Sequence, residues 1–593
     1  MQVPGEPLRQ STRPRRPLRP YVASLCLVVV LQTLNLSWFW PFGQATPQPQ
    51  TRASFALPYT EVNPYGANTF LSKEVEDWKR DKTVAYMADA GLGWMKQQFP
   101  WSEIEPKPGR FWDDKFNQNS WEKYDRIVAL AEQYGVRVIA RIDNTPEWAR
   151  GPNTTPQTPP ADFDRFAEFV ATFIDHYRGR VQYLQIWNEP NLKVEWGGKN
   201  IDAVAYNEML RKVYARAKQA DPNVVILSAP LAQTLEQGDR GLNELLFIQQ
   251  LYDVGFAKYC DIVMANGYGF DQPPTAAPDP QKLNLRRVEL LRAVMERNGD
   301  GAKPIWLNEY AWNAAPADWP VDRTPWLRVS EEQQAIYTVE GIRYMREHWP
   351  WLGVVNIWYF RQVGDVPSTH AEYYFRMIDP EFTQRPLYRE VLRATEAQRL
   401  APPGRYGPLS PVVVGKGRWG TARTASGDTA IRSERATDTL TIHFRGNTLA
   451  LTGVGAPRGG RLAVTVDGST DAVRHLPRDD RGRRYLDFRG AAGEPLTLTV
   501  VKGLDPLGAL RDHEVVLTTI PAADGLAGQV TIAAFEVAHA RSANVFAIVS
   551  GVAALLALGA LVRVAQVGGR LRRKRTGRAD LADRTGEDAP IDA

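Results

Sequence analysis

The chain has 593 residues, of which 44% are hydrophobic and 23% charged, with a formal net charge of +5. That is too long for one ordinary domain, and the small basic excess sits in the tails, which argues against a nucleic-acid surface. Two cysteines, Cys26 and Cys260, leave no disulfide framework and no cysteine-rich metal site.

Residues 1–20 form a basic tail, "RPRRPLRP" at its end, before an uncharged stretch at 21–43. That pattern predicts a signal anchor or a signal peptide, with Trp38 and Trp40 at an interface position and "GQA" (43–45) as a small-residue cleavage site. A Pro/Gln/Ser-rich linker follows at 46–62. From 63 to 400, short apolar runs alternate with amphipathic stretches. The predicted strands are "GANTF" (66), "WMKQQF" (94), "VRVIARI" (136), "VQYLQIW" (181), "VVILS" (224), "DIVMAN" (261), "PIWLN" (304) and "VVNIWYF" (354). Between the second and third, Tyr124, Ile127, Val128, Ala131 and Tyr134 share one helical face. "SEEQ" (330–333) reads as a capping box ahead of a helix. Eight strand-then-helix units predict an α/β fold, a (β/α)8 TIM barrel, because parallel neighbours need a crossover between them.

From 405 to 540 the helical period disappears. Short alternating runs such as "DTLTIHF", "RLAVTVDG" and "HEVVLTTI" between Gly, Asp and Pro turns predict an antiparallel β-sandwich. It reads either as a carbohydrate-binding module or as a spacer. The run at 542–563, "SANVFAIVSGVAALLALGALVR", has the length of a transmembrane helix and precedes a basic tail at 564–593. With basic residues outside both apolar runs, the fold class includes N- and C-terminal transmembrane helices. Both termini are then cytoplasmic and the barrel faces the outside of the cell membrane.

Barrel chemistry sits at the C-terminal ends of the strands. Strand four ends in Trp187-Asn188-Glu189-Pro190 and strand seven in Leu307-Asn308-Glu309-Tyr310. Around them stand Asn266 and Tyr268 on strand six, Trp358 on strand eight, and Asn144 and Trp148 after strand three. Two carboxylates over one barrel mouth, among aromatic faces and amides, suit cleavage of a glycosidic bond: one proton must reach the leaving oxygen while a negative charge meets an oxocarbenium-like carbon. The histidines lack ligand-like spacing, so no metal and no other cofactor is expected.

"WNEPN", then "IWLNEYAW", together with "WSEIEPKPGRFWDD" and "WEKYDRIVALAEQYGVRVIARIDNTPEWA", resembles clan A of the glycoside hydrolases, cellulase-like and family 39-like or family 5-like members included. The resemblance implies a retaining glycosidase with Glu189 as acid/base and Glu309 as nucleophile. It also implies that Asn188 meets the sugar 2-hydroxyl, Tyr268 bonds the nucleophile and Trp358 forms the sugar platform. Asn144, Asn266, Trp148 and Tyr310 complete the expected substrate contacts. Where many members carry histidine and arginine, this chain has Asn144 and Gln97 or Gln98, and Asn266-Gly267-Tyr268 replaces a His-x-Tyr. Retention implies carboxyl groups about 5 to 5.5 Å apart. The expected partners are a carbohydrate and the membrane. The alternatives are a membrane-anchored transglycosylase and a non-catalytic carbohydrate-binding surface protein on an inherited barrel.

Overall fold

The structure is a computed structural model that describes residues 26–30, 33, 57–364, 366–504, 511–521, 528–539 and 543–583. It comprises two compact units, a body (49–504 and 510–539) and the terminal segments.

All eight expected barrel strands form: β1 (Tyr65–Thr69), β2 (Trp94–Pro100), β3 (Arg137–Asp143), β4 (Tyr183–Ile186), β5 (Val225–Leu227), β6 (Val263–Tyr268), β7 (Ile305–Ala311) and β8 (Leu352–Ile357). They are parallel, in the order β5-β4-β3-β2-β1-β8-β7-β6. A parallel bridge from Leu227 to Ile262 joins the open edges, giving a nearly closed barrel of TIM type. Helices α1 (Asp77–Asp89), α2 (Glu122–Tyr134), α3 (Phe163–His176), α4 (Ala203–Ala220), α5 (Glu244–Asp253), α6 (Arg287–Arg297), α7 (Glu331–His348) and α8 (Pro386–Glu396) follow the strands in turn. The predicted face of α2 buries Tyr124, Ile127, Val128 and Ala131, and Gly135 closes that helix at φ 74°. Ser330 and Gln333 form the predicted capping box of α7.

The barrel interior is built in two rungs by the two-residue period of the strands. Trp94, Ile139, Tyr183, Met264, Trp306 and Val354 belong to one apolar cluster inside the lower end. Two residues further along each strand the side chain is polar: Lys96, Arg141, Gln185, Asn266, Asn308 and Asn356. The alternate positions, among them Met95, Ala140, Leu184, Ala265, Leu307 and Val355, pack with the helices in a separate cluster. One end of the barrel is thus a greasy floor and the other a polar chamber.

The sandwich seals the floor. Its first sheet is built around β10 (Thr439–Arg445), β13 (Asp512–Ile520) and β12 (Arg461–Val466), and its second around β9 (Thr429–Ser433), β14 (Val530–Ala538) and β11 (Thr448–Val454). These six pair antiparallel. The core between the sheets, with Leu440, Ile442, Leu451 and Phe535, is continuous with the apolar rung of the barrel. Polar bonds lock the joint: Arg137 Nη1 donates to Trp419 O (2.8 Å), Gln182 Nε2 donates to Thr421 O (2.9 Å), and Tyr183 Oη pairs with Thr421 Oγ1 (3.2 Å).

In the terminal unit, α9 spans Ala543–Asp583. Within it, Ile548–Val567 is the single stretch among the described residues that is long and apolar enough to cross a membrane. The expected N-terminal span at 21–43 lies outside the described residues, apart from 26–30 and 33, which are helical. The linker expected at 46–62 is described only from residue 57.

Candidate active site

Two backbone irregularities put the two glutamates into the polar chamber. On β7, regular alternation from Trp306 would turn Asn308 inward and Glu309 outward. The register against β6 slips between Ala265↔Leu307 and Asn266↔Glu309, and the register against β8 slips over the same residues. This bulge lets Asn308 and Glu309 both face the interior, a standard use of an extra residue in a strand. At the end of β4, Trp187 (φ 75°) and Glu189 (φ 38°) both adopt left-handed backbone, which is uncommon for side-chain-bearing residues and concentrates at functional sites.

One asparagine connects the pair. Asn266 is the register partner of Glu309, and its Nδ2 donates to Glu189 Oε1 at 2.5 Å. Asn308 Nδ2 donates to Asn266 Oδ1 at 2.9 Å, which fixes the amide orientation, and Asn68 Nδ2 donates to Asn308 O at 3.0 Å. Glu309, 6% exposed, accepts from Tyr268 Oη at 2.8 Å and forms an ion pair with buried Lys96, Nζ to Oε1, at 3.7 Å.

The electrostatics act on Glu189, Tyr268 and Lys96. Glu189 is partly exposed to the mouth. Its carboxyl is pushed well above the ordinary range by burial first and then by the charges of Glu309 and Glu195, against the pull of Arg141 and Lys96. Burial, followed by the Glu309 charge, also holds the Tyr268 hydroxyl far above its usual value, so it stays a donor. The Lys96 ammonium is lowered to about 8, chiefly by burial, with Glu309 as the strongest opposing influence. Arg141 bonds Asp143 (2.5 Å), which also accepts from Gln98 Nε2 (2.7 Å).

The structure brings most of the predicted residues together. Asn188 is buried beside Glu189 and hydrogen-bonds the Glu195 carboxyl, while its Oδ1 is left buried without a partner. Trp358 is partly exposed, set edge-on to Phe70 (5.6 Å), and packs against the cluster of Tyr268, Phe270 and Phe375. Asn144 ends β3 in left-handed backbone (φ 58°), its carbonyl accepting from Ser102 N–H, which is the geometry of a turn residue.

Two expected contacts fall elsewhere. Tyr310 follows the bulge and so points outward; it is fully buried and its hydroxyl donates to Thr338 O of α7. Trp148 donates its indole N–H to Glu105 O, lies edge-on to Trp101 and lines a groove against α3. Lys96, Arg141 and Glu195 escape the motif search. A charge on the inward phase of the strand, Lys96 in "WMKQQF" and the second arginine in "VRVIARI", is the signal for the first two.

Residues 56–238 match the family model of cellulases (glycosyl hydrolase family 5). The matched stretch contains Glu189 and stops before Glu309. No curated protein matches the chain. Among solved structures, a family 39 glycoside hydrolase from Bacteroides cellulosilyticus WH2 is 18% identical, with 75% of this chain and 81% of that one covered and a TM-score of 0.42. A monomeric β-xylosidase from Caulobacter crescentus CB15 is 14% identical, with 79% and 98% covered and a TM-score of 0.43. A GH39 enzyme from Xanthomonas axonopodis pv. citri is 15% identical, with 79% and 95% covered and a TM-score of 0.42.

Proposed function

We propose that the protein is a retaining glycoside hydrolase that cleaves O-glycosidic bonds by double displacement. The cellulase-type match supports a glycosidase, and one observation carries the mechanism: two glutamates meet at one polar mouth, linked through Asn266, with Tyr268 and Lys96 on Glu309. Glu309 accepts a phenolic hydrogen bond from Tyr268 and is ion-paired with the Lys96 ammonium. Glu189 is held protonated by burial and by the neighbouring acids.

In the first step Glu309 attacks the anomeric carbon while Glu189 passes its proton to the departing glycosidic oxygen. The products are a glycosyl ester on Glu309 and a free alcohol. Glu189, now charged, takes a proton from water, whose oxygen attacks the anomeric carbon and releases Glu309. Asn188, with its free buried acceptor, is suited to a sugar hydroxyl, and Trp358 offers a ring face to the sugar's C–H side. The apolar stretch Ile548–Val567 supports a membrane tether, with the body outside the cell.

A panel of aryl glycosides and polysaccharides tests this reading. Glu309→Gln should abolish turnover while leaving sugar binding, measured by calorimetry, in place. Proton NMR should detect the first-formed sugar with the anomeric configuration of the substrate. Turnover surviving in Glu309→Gln would remove the nucleophile assignment.

A further inference from the structure

We propose, on the reading that this mouth cleaves glycosides, that the sugar it takes carries a free amino group. Glu195, beside Asn188, selects that sugar by pairing with its ammonium.

The turn after β4 fixes Glu195 at the mouth. Leu192 N–H donates back to Glu189 O (2.9 Å), and Trp187 Nε1 donates to Glu195 O (3.0 Å). The short helix Val194–Trp196 follows, and the Glu195 side chain on it is partly exposed. Burial raises its carboxyl and Arg141 draws it down, with Asp143 and Glu309 opposing and the Asn188 amide donating to it.

Each other carboxyl at the mouth has a partner of its own. Glu309 is ion-paired with Lys96, and Asp143 with Arg141. Glu189 accepts from Asn266 and is the proton-bearing member of the catalytic pair. Glu372, in the segment after β8, faces Lys73 and His370. Arg141 attracts Glu195 from a distance, but its guanidinium is bonded to Asp143, and among the described residues no ion pair reaches Glu195. One carboxylate at the mouth is thus left for a cation that the ligand brings.

Asn188 indicates which kind of cation. It is 5% exposed, its amide meets Glu195, and its Oδ1 is buried without a donor. Two acceptors therefore stand side by side, one of them ionisable. A hydroxyl has a single hydrogen, enough for Asn188 but with no charge for Glu195. An ammonium has three hydrogens and a positive charge, so it serves both, and hydrogen bonds between ionised partners are the stronger ones. An acetamido group carries one N–H, no charge and a carbonyl that adds an acceptor among acids. A uronic acid would bring a further negative charge to the same place.

The test measures kcat/KM at about pH 6, where a sugar amine, like an α-amino group, carries its proton. The substrates are aryl glycosides, in both anomers, of glucosamine, galactosamine and mannosamine, with their N-acetyl and parent hexose counterparts. In at least one series the amine should exceed both counterparts by about tenfold or more, the scale of one hydrogen bond to a charged group. That ratio should fall by about tenfold in Glu195→Gln, which keeps an acceptor for Asn188 and removes the charge. Counterparts cleaved as well as or better than the amine in every series overturn the proposal and leave the hydrolase reading in place. So does a ratio that a folded Glu195→Gln variant leaves unmoved.

Absence of turnover on every glycoside would instead count against the hydrolase reading. Calorimetry of the full chain with chitosan oligosaccharides and their N-acetylated forms then decides the ligand. Tighter binding of the free amines, weakened in Glu195→Gln, supports the proposal; equal or absent binding overturns it.

Discussion

Tyr268 and Asn266 sit on the same strand and serve different carboxyls, one giving a phenol to Glu309 and the other an amide to Glu189. A hydrogen bond to a charged group is worth about 1.5–3 kcal/mol. Tyr268→Phe should therefore lower kcat/KM by roughly 10- to 150-fold if most of that bond is realised in the transition state, measured by steady-state kinetics at neutral pH. Glu189 has the opposite problem. Its folded carboxyl is raised above the ordinary 4.5, so its contribution to stability is full below that value and is lost as pH rises through the folded value. Glu189→Gln keeps the acceptor for Asn266 and removes that loss. The variant should be nearly inactive on substrates with poor leaving groups yet melt about 2 °C higher at pH 8, a common activity–stability exchange. At this scale the two glutamates, Asn188, Asn266 and Tyr268 were legible in the sequence because strand ends are where barrels hold their chemistry. Lys96 was not singled out, since one charge in an apolar run reads equally well as a surface residue.

Among elements, the bulge in β7 decides the site. Period-two alternation from Trp306 sends Glu309 into the helix shell and keeps Tyr310 inside, and nothing in "PIWLNEYAW" announces the extra residue. This is why Tyr310 was expected at the mouth and is found against α7. Trp148 was misplaced for another reason: an indole after a strand end packs under a loop or lines a cleft with equal ease. The strands themselves, their order of appearance and the α7 capping box followed from hydrophobic period and turn chemistry. The interior also constrains where small residues stand. A Cβ on Gly66 of β1 would lie 2.6 Å from Asn356 Oδ1 and 3.0 Å from Trp94 Cβ. Gly66→Ala should thus cost about 1–3 kcal/mol as overpacking, visible as a lower denaturation midpoint. A midpoint unchanged from the wild type would mean that the two rungs have slack.

In the whole body, barrel and sandwich share one apolar core rather than meeting at a wet joint. The textural change near residue 405 separated the two regions in the sequence, but the docking depends on Arg137, Gln182 and Thr421, whose roles no local pattern reveals. Calorimetry of residues 46–540 should show one cooperative transition, and a barrel cut after residue 400 should aggregate or bind a hydrophobic dye. Two separate transitions would mean that the continuous core does not couple them. The docking also removes the sandwich from the mouth that holds Glu189 and Glu309, since its bonds to Arg137, Gln182 and Tyr183 lie at the N-terminal ends of β3 and β4.

That shared floor bears on biosynthesis. Trp94, Tyr183 and Trp306 meet ring to ring at 4.9–5.3 Å, and the strands that cover them are translated more than a hundred residues after the last of the three. A nascent barrel leaving the ribosome therefore spends that interval with an aromatic base open to solvent, the kind of surface that recruits chaperones. Maturation of this chain should be paced by arrival of the capping strands rather than by closure of the barrel.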